Sequence, residues 1–387
     1  MSVVARDVVR ELQPSLIREV ANAGMGNTDI LRFWFGESDQ PTPKFIRDAA
    51  IASLESGETF YSQNLGRPYL REAIATYLSG LHEREIGPDR IAAVGSGVSA
   101  LMLASQLVLS PGDRVVAVTP LWPNVTEIPK ILGANVTRVP LRIANGRWSL
   151  DLERLLEAMT PDTRMVIINS PNNPTGWTIE DEEVDAVLAD ARKHGIWVLA
   201  DDVYERLVYD PRRKSAPSFL RRYEDGDRII STNSFSKAWS MTGWRMGWLA
   251  APEVLMGELT KLIEYNTSCI LEPAQRAGAV AVRDGEAEVA ALRARLMETR
   301  RVLVDGLRRL PGVDVPEAGG AMYGFFRIAG FDDSVETAKR LVREVSLGLA
   351  PGLAFGPEGE GWLRWCHATS AAAIEDGLDR LGRFLSR

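Results

Sequence analysis

One lysine stands among side chains that suit covalent chemistry beside a phosphate. Lys237 lies in the segment 233–247, which reads NSFSKAWSMTGWRMG. Ser234 and Ser236 flank the lysine, and Arg245 follows eight residues later across a Gly-Trp turn. A guanidinium clamps phosphate with two hydrogen bonds, hydroxyls donate further ones, and nearby positive charge lowers the pKa of an amine. The segment therefore predicts a Schiff base at Lys237 next to a bound phosphate.

Two other interpretations of this segment are weaker. Ser234 and Lys237 have the Ser-x-x-Lys spacing of penicillin-binding proteins, but the Ser-Asp-Asn and Lys-Thr-Gly motifs that accompany it occur nowhere in the chain. A solvated surface lysine is the usual state of this residue type and would explain an isolated Ser-Lys pair. It does not explain a lysine that has two hydroxyls and an arginine as neighbours.

The segment 95–100, GSGVSA, follows an apolar run and opens a helical one. Backbone N–H groups at such a turn, together with the helix dipole, can hold an anion. The segment also matches the Gly-x-Gly-x-x-Ala fingerprint of dinucleotide-binding folds. The next strand-like run, 115–120, ends without the acidic residue that would bind a ribose hydroxyl, so a phosphate without a ribose is the better fit.

Two charged residues stand where the pattern predicts burial. Asp201 ends the apolar run 196–200, and Arg364 lies within the apolar run 362–366. A buried charge is costly unless it is paired. For Arg364 the sequence leaves two interpretations open: a salt bridge to an interior acid, or a bidentate clamp on a substrate carboxylate.

The motifs together resemble the class I/II aminotransferases of fold type I, which use pyridoxal 5'-phosphate, and in particular the aspartate aminotransferase group. The resemblance covers nearly the whole chain, in the expected order. It rests on the segments 35–43 (FGESDQPTP), 61–66 (YSQNLG), 170–176 (SPNNPTG), 201–204 (DDVY), 233–247, 351–356 (PGLAFG) and 364–366 (RWC).

The resemblance implies a phosphate site built from two segments. Backbone amides of Gly97 and Val98 would bind the cofactor phosphate at the start of a helix. Ser234, Ser236 and Arg245 would complete the site from the lysine segment.

It also implies how the cofactor ring is held. Trp122 would stack on the ring, and Asp201 would keep its nitrogen protonated so that the ring accepts electrons. Asn173 and Tyr204 would bind the 3' oxygen of the ring. Asp202 would point to the opposite face of the strand and be structural.

Substrate binding and assembly follow from the same resemblance. Arg364, the Gly36 backbone and Asn173 would bind the α-carboxylate. Tyr61 would cross a dimer interface to the phosphate of the neighbouring subunit, which implies an obligate homodimer with shared sites.

The activity implied is aminotransfer between an L-amino acid and a 2-oxo acid, by a ping-pong mechanism through an aldimine of Lys237. The main alternative is a carbon-sulfur lyase or another amino-acid elimination, since it would share every residue named. A cofactor-binding sensor without turnover is less favoured, because no basic helix-turn-helix domain precedes residue 30. An oxidoreductase of the Rossmann type comes last.

The choice of substrate is left open. A dicarboxylic substrate needs a second cation, which the resemblance places in the partner subunit near 265–275, but 265–272 reads YNTSCILE. Glu272 would repel a dicarboxylate there or pair with a basic group. Gln40 replaces a common aromatic, and His367 departs from the usual pattern and is predicted to be a supporting or surface residue rather than a catalyst.

The elements that must position these residues are those of an α/β protein. From about 90 to 250, short β-branched runs alternate with helical stretches, which predicts a large domain with a mostly parallel seven-stranded sheet between helices. A smaller α+β domain follows from 285. We therefore expect an arm with part of the small domain at 1–44, the cofactor-binding domain at 45–284 and the small domain at 285–387, with a continuous helix crossing the last boundary.

Composition excludes other classes of protein. The 387 residues are 45% hydrophobic and carry a net charge of −7, which disfavours a nucleic-acid partner. No apolar run reaches the roughly 20 residues needed to cross a bilayer, and the first ten residues do not read as a signal peptide, so we expect a cytoplasmic protein. Two distant cysteines and three scattered histidines predict no metal site.

Overall fold

The computed structural model describes residues 4–387. Its helices are α1 (Asp7–Arg10), α2 (Leu16–Ala23), α3 (Lys44–Glu55), α4 (Pro68–His82), α5 (Gly97–Val108), α6 (Pro123–Ile131), α7 (Leu152–Ala158), α8 (Asp181–His194), α9 (Phe235–Ala238), α10 (Met256–Glu264), α11 (Glu272–Asp284), α12 (Glu286–Arg308), α13 (Ser334–Val345) and α14 (Ala371–Leu385). Its strands are β1 (Leu31–Arg32), β2 (Ile91–Val94), β3 (Arg114–Thr119), β4 (Asn135–Pro140), β5 (Arg142–Ala144), β6 (Arg147–Ser149), β7 (Thr163–Asn169), β8 (Trp197–Asp201), β9 (Ile229–Ser234), β10 (Gly247–Ala250), β11 (Val313–Asp314), β12 (Tyr323–Ile328), β13 (Leu347–Gly348), β14 (Ala350–Pro351) and β15 (Trp362–Cys366).

The central sheet has seven strands in the order β2-β10-β9-β8-β7-β3-β4. Only β10 runs antiparallel to its neighbours β2 and β9. The register pairs Asn169 with Asp201 and Asp201 with Thr232, so that the carboxyl ends of β7, β8 and β9 lie at one edge. Ligands of open α/β sheets bind outside this edge. The predicted seven-stranded, mostly parallel sheet and the predicted fold class are confirmed.

Helices cover both faces of the sheet because consecutive residues of its strands point to opposite sides. On β3, Val116 and Val118 belong to one apolar core, while Val115 and Ala117 belong to the other. Strands β3, β7 and β8 are buried along most of their length and are mainly apolar, as parallel strands covered on both faces are. Helices α5, α6 and α10 pack over the second of these two cores.

A second sheet lies in the C-terminal part of the chain. It has four antiparallel strands in the order β11-β12-β15-β14. The long helix α12 packs against α14 and β12, and α13 packs against α14. Strand β1, from the N-terminal arm, pairs in parallel with β13, and this tie joins the arm to the C-terminal region.

Two features differ from the sequence expectations. The helix expected to cross residue 285 is interrupted: α11 ends at Asp284 and α12 starts at Glu286. A Cβ on Gly285 would lie 2.7 Å from Trp239 Nε1, so the chain turns there at a residue without a side chain. The hairpin β5–β6 was not predicted. Among residues 4–387, no helix is long and apolar enough to cross a membrane.

The packing of α14 gives a test of the fold. A Cβ on Gly377 would lie 2.5 Å from Trp365 and 2.9 Å from Phe33, whose rings stack at 4.8 Å. We expect Gly377→Ala to lower the free energy of unfolding by about 1–3 kcal/mol, because overpacking forces these rings apart. The matched control on the same helix is Gly382→Ala, whose Cβ would meet only Leu310 at 3.5 Å. Thermal unfolding of the control at or above the wild-type midpoint, with a clear drop for Gly377→Ala, is the expected result; equal midpoints would contradict this packing.

Candidate active site

A cavity of about 470 Å³ opens between the carboxyl edge of the central sheet and the C-terminal sheet. Twelve residues that the sequence predicted line it together: Gly36, Gly97, Val98, Trp122, Asn173, Asp201, Tyr204, Ser234, Ser236, Lys237, Arg245 and Arg364. They come from seven separate stretches of the chain, and the fold alone brings them together. Tyr61 does not line the cavity.

Lys237 reaches the cavity from the short helix α9, directly after β9. Its Nζ donates a hydrogen bond to the carbonyl oxygen of Gly36 in the N-terminal arm. Desolvation lowers the pKa of Lys237 to about 8, and the charges of Arg364 and Arg245 lower it as well. An amine with this pKa is partly neutral near pH 7 to 8, and the neutral form is the nucleophile and the base.

An anion site lies at the start of α5. Ser96 caps this helix by accepting from Ser99 N at 2.9 Å, and the free N–H groups of its first turn face the cavity with Gly97 and Val98. Ser234 Oγ donates to Ser236 Oγ at 2.8 Å beside them. Backbone N–H groups and hydroxyls thus lie next to one another in the wall of the cavity.

Two backbone details allow this convergence. A Cβ on Gly247 would lie 2.7 Å from Gly97 N, so β10 approaches the start of α5 only because residue 247 is glycine. Arg245, two residues earlier, has a φ of +52°. It is exposed and lines the cavity, and its Nη1 donates to Thr242 O at 2.8 Å.

Asp201 is buried at the end of β8. Burial raises the pKa of Asp201 to about 7, against the opposing effects of the Val203 N–H and the Lys237 charge. Asn169 Nδ2 donates to Asp201 O at 3.0 Å, and Asn169 Oδ1 accepts from Asn173 N at 2.9 Å. This pair of bonds links the carboxyl ends of β7 and β8 to the loop that carries Asn173.

Arg364 lies in the middle of β15 and is buried. Its Nη1 donates to Asn173 Oδ1 at 2.9 Å and its Nη2 donates to the carbonyl oxygen of Trp34, while its Nε has no hydrogen-bond partner. Among residues 4–387, no acid forms a salt bridge with Arg364, so the first of the two interpretations is wrong. A buried guanidinium of this kind is suited to an anionic ligand.

Tyr323 is a cavity residue that sequence reasoning missed. Its hydroxyl lies 2.5 Å from that of Tyr204, and its ring lies 4.5 Å from the guanidinium carbon of Arg364. Burial raises the pKa of Tyr323 to about 12 and the pKa of Tyr204 well above its ordinary value. A tyrosine that opens a strand has no distinguishing signal in sequence, because its contacts here are with residues far along the chain.

A buried polar chain behind the anion site was also missed. His82 Nε2 lies 3.3 Å from Glu205 Oε2, and Glu205 Oε1 accepts from Asn233 Nδ2 at 2.6 Å. Asn233 Oδ1 in turn accepts from Ser234 N at 2.7 Å. The two hydrogen bonds through Asn233 orient the backbone of Ser234 from the interior side.

Asp202, Glu272 and His367 all lie outside the lining of the cavity. Asp202 is buried and accepts from Ser231 Oγ at 2.6 Å, away from the cavity, as expected for a structural residue. Glu272 pairs with Arg67 Nε at 2.8 Å, so it neutralises a basic group. His367 is fully buried between Tyr209 and Thr299, so it is a supporting residue, and the expectation of a surface position is wrong.

Comparison with known proteins agrees with this geometry. The family model described as aminotransferase class I and II matches residues 28–381. An aspartate aminotransferase of Pyrococcus horikoshii is 33% identical over 97% of this chain and 95% of its own length. One of Thermotoga maritima is 34% identical over 92% of each. The solved structure of a Thermotoga maritima aspartate aminotransferase matches 99% of this chain and 100% of that chain with a TM-score of 0.91 and 31% identity.

The chain therefore belongs to the class I and II aminotransferases and has the aspartate aminotransferase fold. It is a pyridoxal-phosphate-dependent enzyme that transfers amino groups. The similar proteins carry the names of aminotransferases, so elimination of the carbon-sulfur type is not favoured, nor is a nicotinamide oxidoreductase.

The residues present fit this cofactor. The anion site at α5 matches a phosphate, and the reactive lysine lines the same cavity. Asp201 is an acid whose carboxylate is destabilised by burial, which a protonated ring nitrogen would relieve. No group of three or more metal-binding side chains occurs in the described part of the chain.

The lowered pKa of Lys237 can be measured on the cofactor-free protein. Only the neutral amine reacts with acetic anhydride, so labelling of Lys237 should rise with pH and reach its midpoint near pH 8 instead of 10.5. In Arg364→Gln the midpoint should move to higher pH, because a charge that lowers this pKa is removed. Peptide mass spectrometry across a pH series gives the midpoints. A midpoint near 10.5 in the wild type would show that the amine is not desolvated.

Proposed function

We propose that Lys237 Nζ forms the Schiff base with the aldehyde of pyridoxal phosphate. The N–H groups of Gly97 and Val98, with Ser234, Ser236 and Arg245, would bind the phosphate. The support is that these groups converge on one side of the cavity that Lys237 also lines. One guanidinium, two hydroxyls and a helix start suit a dianion.

We propose that the ring lies between Trp122 and the carboxyl end of β8. Asp201 would pair with the protonated ring nitrogen, and Asn173 and Tyr204 would bind the 3' oxygen. All four residues line the cavity. Tyr323 would support this arrangement, because its hydroxyl is hydrogen-bonded to that of Tyr204 at 2.5 Å.

Arg364 is proposed to bind the α-carboxylate of the substrate, with help from Asn173 and the Gly36 backbone. The main support for the proposed function is the position of two residues in one cavity. Arg364 is a buried guanidinium with no acidic partner among residues 4–387, and it lines the same cavity as Lys237, whose pKa is lowered. A carboxylate held there presents the rest of the amino acid to Lys237.

After the substrate has bound, a residue of this protein has to transfer the proton on the substrate Cα. Pyridoxal phosphate, when bound, withdraws the electron pair that remains on Cα after its proton leaves. With the substrate amine bound in its place, Lys237 Nζ would be free to accept the Cα proton and to donate it to the carbon that carried the aldehyde. Water would then release the 2-oxo acid and leave the amino group on the cofactor. The reverse steps with a second 2-oxo acid would transfer that amino group to the product and complete a ping-pong cycle.

We further propose a homodimer in which Tyr61 serves the neighbouring site. Phe60 and Tyr61 are 84% and 90% exposed, and Tyr265 is 91% exposed. Their segments adjoin, since Asn64 Nδ2 donates to Glu264 Oε2 at 2.6 Å. Exposed aromatic side chains that cluster are typical of interfaces. The division at residues 44 and 284 and the cytoplasmic location stay predictions.

Covalent attachment at Lys237 can be tested directly. Borohydride reduction of the yellow holoenzyme should fix the cofactor on the peptide that contains Lys237. Lys237→Ala should bind pyridoxal phosphate without forming this link and should lose aminotransfer between amino and oxo acids. Lys261→Ala, which changes an exposed lysine that does not line the cavity, is the matched control and should behave as the wild type. A label on another lysine would refute the assignment.

The shared site predicts recovery of activity between two defective chains. Tyr61→Ala should weaken cofactor binding, and Lys237→Ala should be inactive. In a mixed dimer, one site has Lys237 from one chain and Tyr61 from the other, so both residues are wild type there. Unfolding and refolding the two variants together should therefore restore aminotransfer above the sum of the separate variants. No recovery, with mixed dimers present, would place Tyr61 outside the neighbouring site.

A further inference from the structure

The cavity contains more positive charge than the proposed function uses. Four basic residues line it: Arg18, Lys237, Arg245 and Arg364. The proposed function assigns the last three to the aldehyde, the phosphate and the α-carboxylate. Asp201 is the one acid that lines the cavity in the described part of the chain, and it lies at the ring end. Arg18 has no assigned partner.

Arg18 is held at the mouth of the cavity by the helix that carries it. It lies in the first turn of α2, which Ser15 caps, and its neighbours Ile17 and Val20 are buried in the main core. Helix α2 packs against α13 and β14, so its first turn has a defined position beside the cavity. Trp34 and Phe35 line the cavity on the same side as the arm residue Gly36.

The guanidinium of Arg18 is exposed, and it makes no hydrogen bond or ion pair with any residue from 4 to 387. The adjacent residue behaves differently: Glu19 pairs with Lys339 Nζ on α13 at 2.6 Å. The two neighbours therefore face different surroundings. Glu19 ties α2 to the C-terminal region, while Arg18 faces the cavity.

We propose that Arg18 binds the side-chain carboxylate of a dicarboxylic amino acid, and that it thereby determines substrate preference. This inference rests on the proposed function, since it takes Arg364 as the α-carboxylate site. It places the second cation in the N-terminal helix of the same chain. The segment 265–272, which contains no arginine or lysine, could not supply it. A guanidinium matches a carboxylate with two hydrogen bonds.

The test compares half-reactions of the holoenzyme with aspartate, glutamate, alanine and phenylalanine, followed by the loss of cofactor absorbance. In the wild type, the two dicarboxylic substrates should react with the higher kcat/KM. Arg18→Leu should lower kcat/KM for them by about 10- to 100-fold, the usual loss for a charge-assisted hydrogen bond. The values for alanine and phenylalanine should change by less than about twofold.

Two further variants separate recognition from structure. Arg18→Lys keeps the charge and should retain part of the preference for dicarboxylic substrates. Glu19→Gln changes the neighbouring charge on the same turn and should leave all four rates unchanged, because Glu19 does not line the cavity.

Three results would overturn the role of Arg18: a wild type that prefers alanine or phenylalanine, an Arg18→Leu variant with an unchanged ratio of rates, or an equal loss for all four substrates. In each of these cases the reaction with amino acids would still support the proposed function. If no amino acid changes the absorbance of the wild type, the proposed function itself fails.

Discussion

Positive charge held inside one partly closed cavity is the feature on which the rest of this structure depends. Lys237 and Arg364 are desolvated there without a salt bridge to any acid in residues 4–387. Removing an unpaired charge from water costs several kcal/mol, so the surrounding fold has to sustain it. Binding of a phosphate and a carboxylate offsets that cost. The unpaired positive charges of the folded protein therefore favour the binding of anionic ligands.

Both sheets contribute residues to the wall of this cavity. The parallel register of β7, β8 and β9 places Asn169, Asp201 and the start of the lysine segment at one edge. Strand β15 brings Arg364 from the C-terminal sheet, and the bond from Arg364 to Asn173 joins the two parts. The N-terminal arm completes the enclosure, because Gly36 accepts from Lys237 and β1 pairs with β13.

Polar contacts behind the cavity refine its geometry. The hydrogen bonds from Asn233 to Glu205 and from Ser234 N to Asn233 orient the Ser234 backbone, and the Tyr204–Tyr323 pair forms the opposite wall. These groups are fully buried, where a hydrogen bond is hard to replace by water. They explain how flexible hydroxyl and phenol groups keep one arrangement beside a reactive amine.

The sequence by itself determined the chemistry and the class of fold. The lysine segment, with two serines beside Lys237 and an arginine eight residues later, can be recognised from neighbouring residues alone. Apolar runs of strand length can be recognised in the same way, without coordinates. The tertiary structure alone decided which distant groups meet. Tyr323, the Arg18 position at the cavity mouth and the absence of an acid beside Arg364 in the described chain depend on packing between segments up to several hundred residues apart. Neither propensity nor periodicity encodes such contacts, because both act over a few residues of the chain.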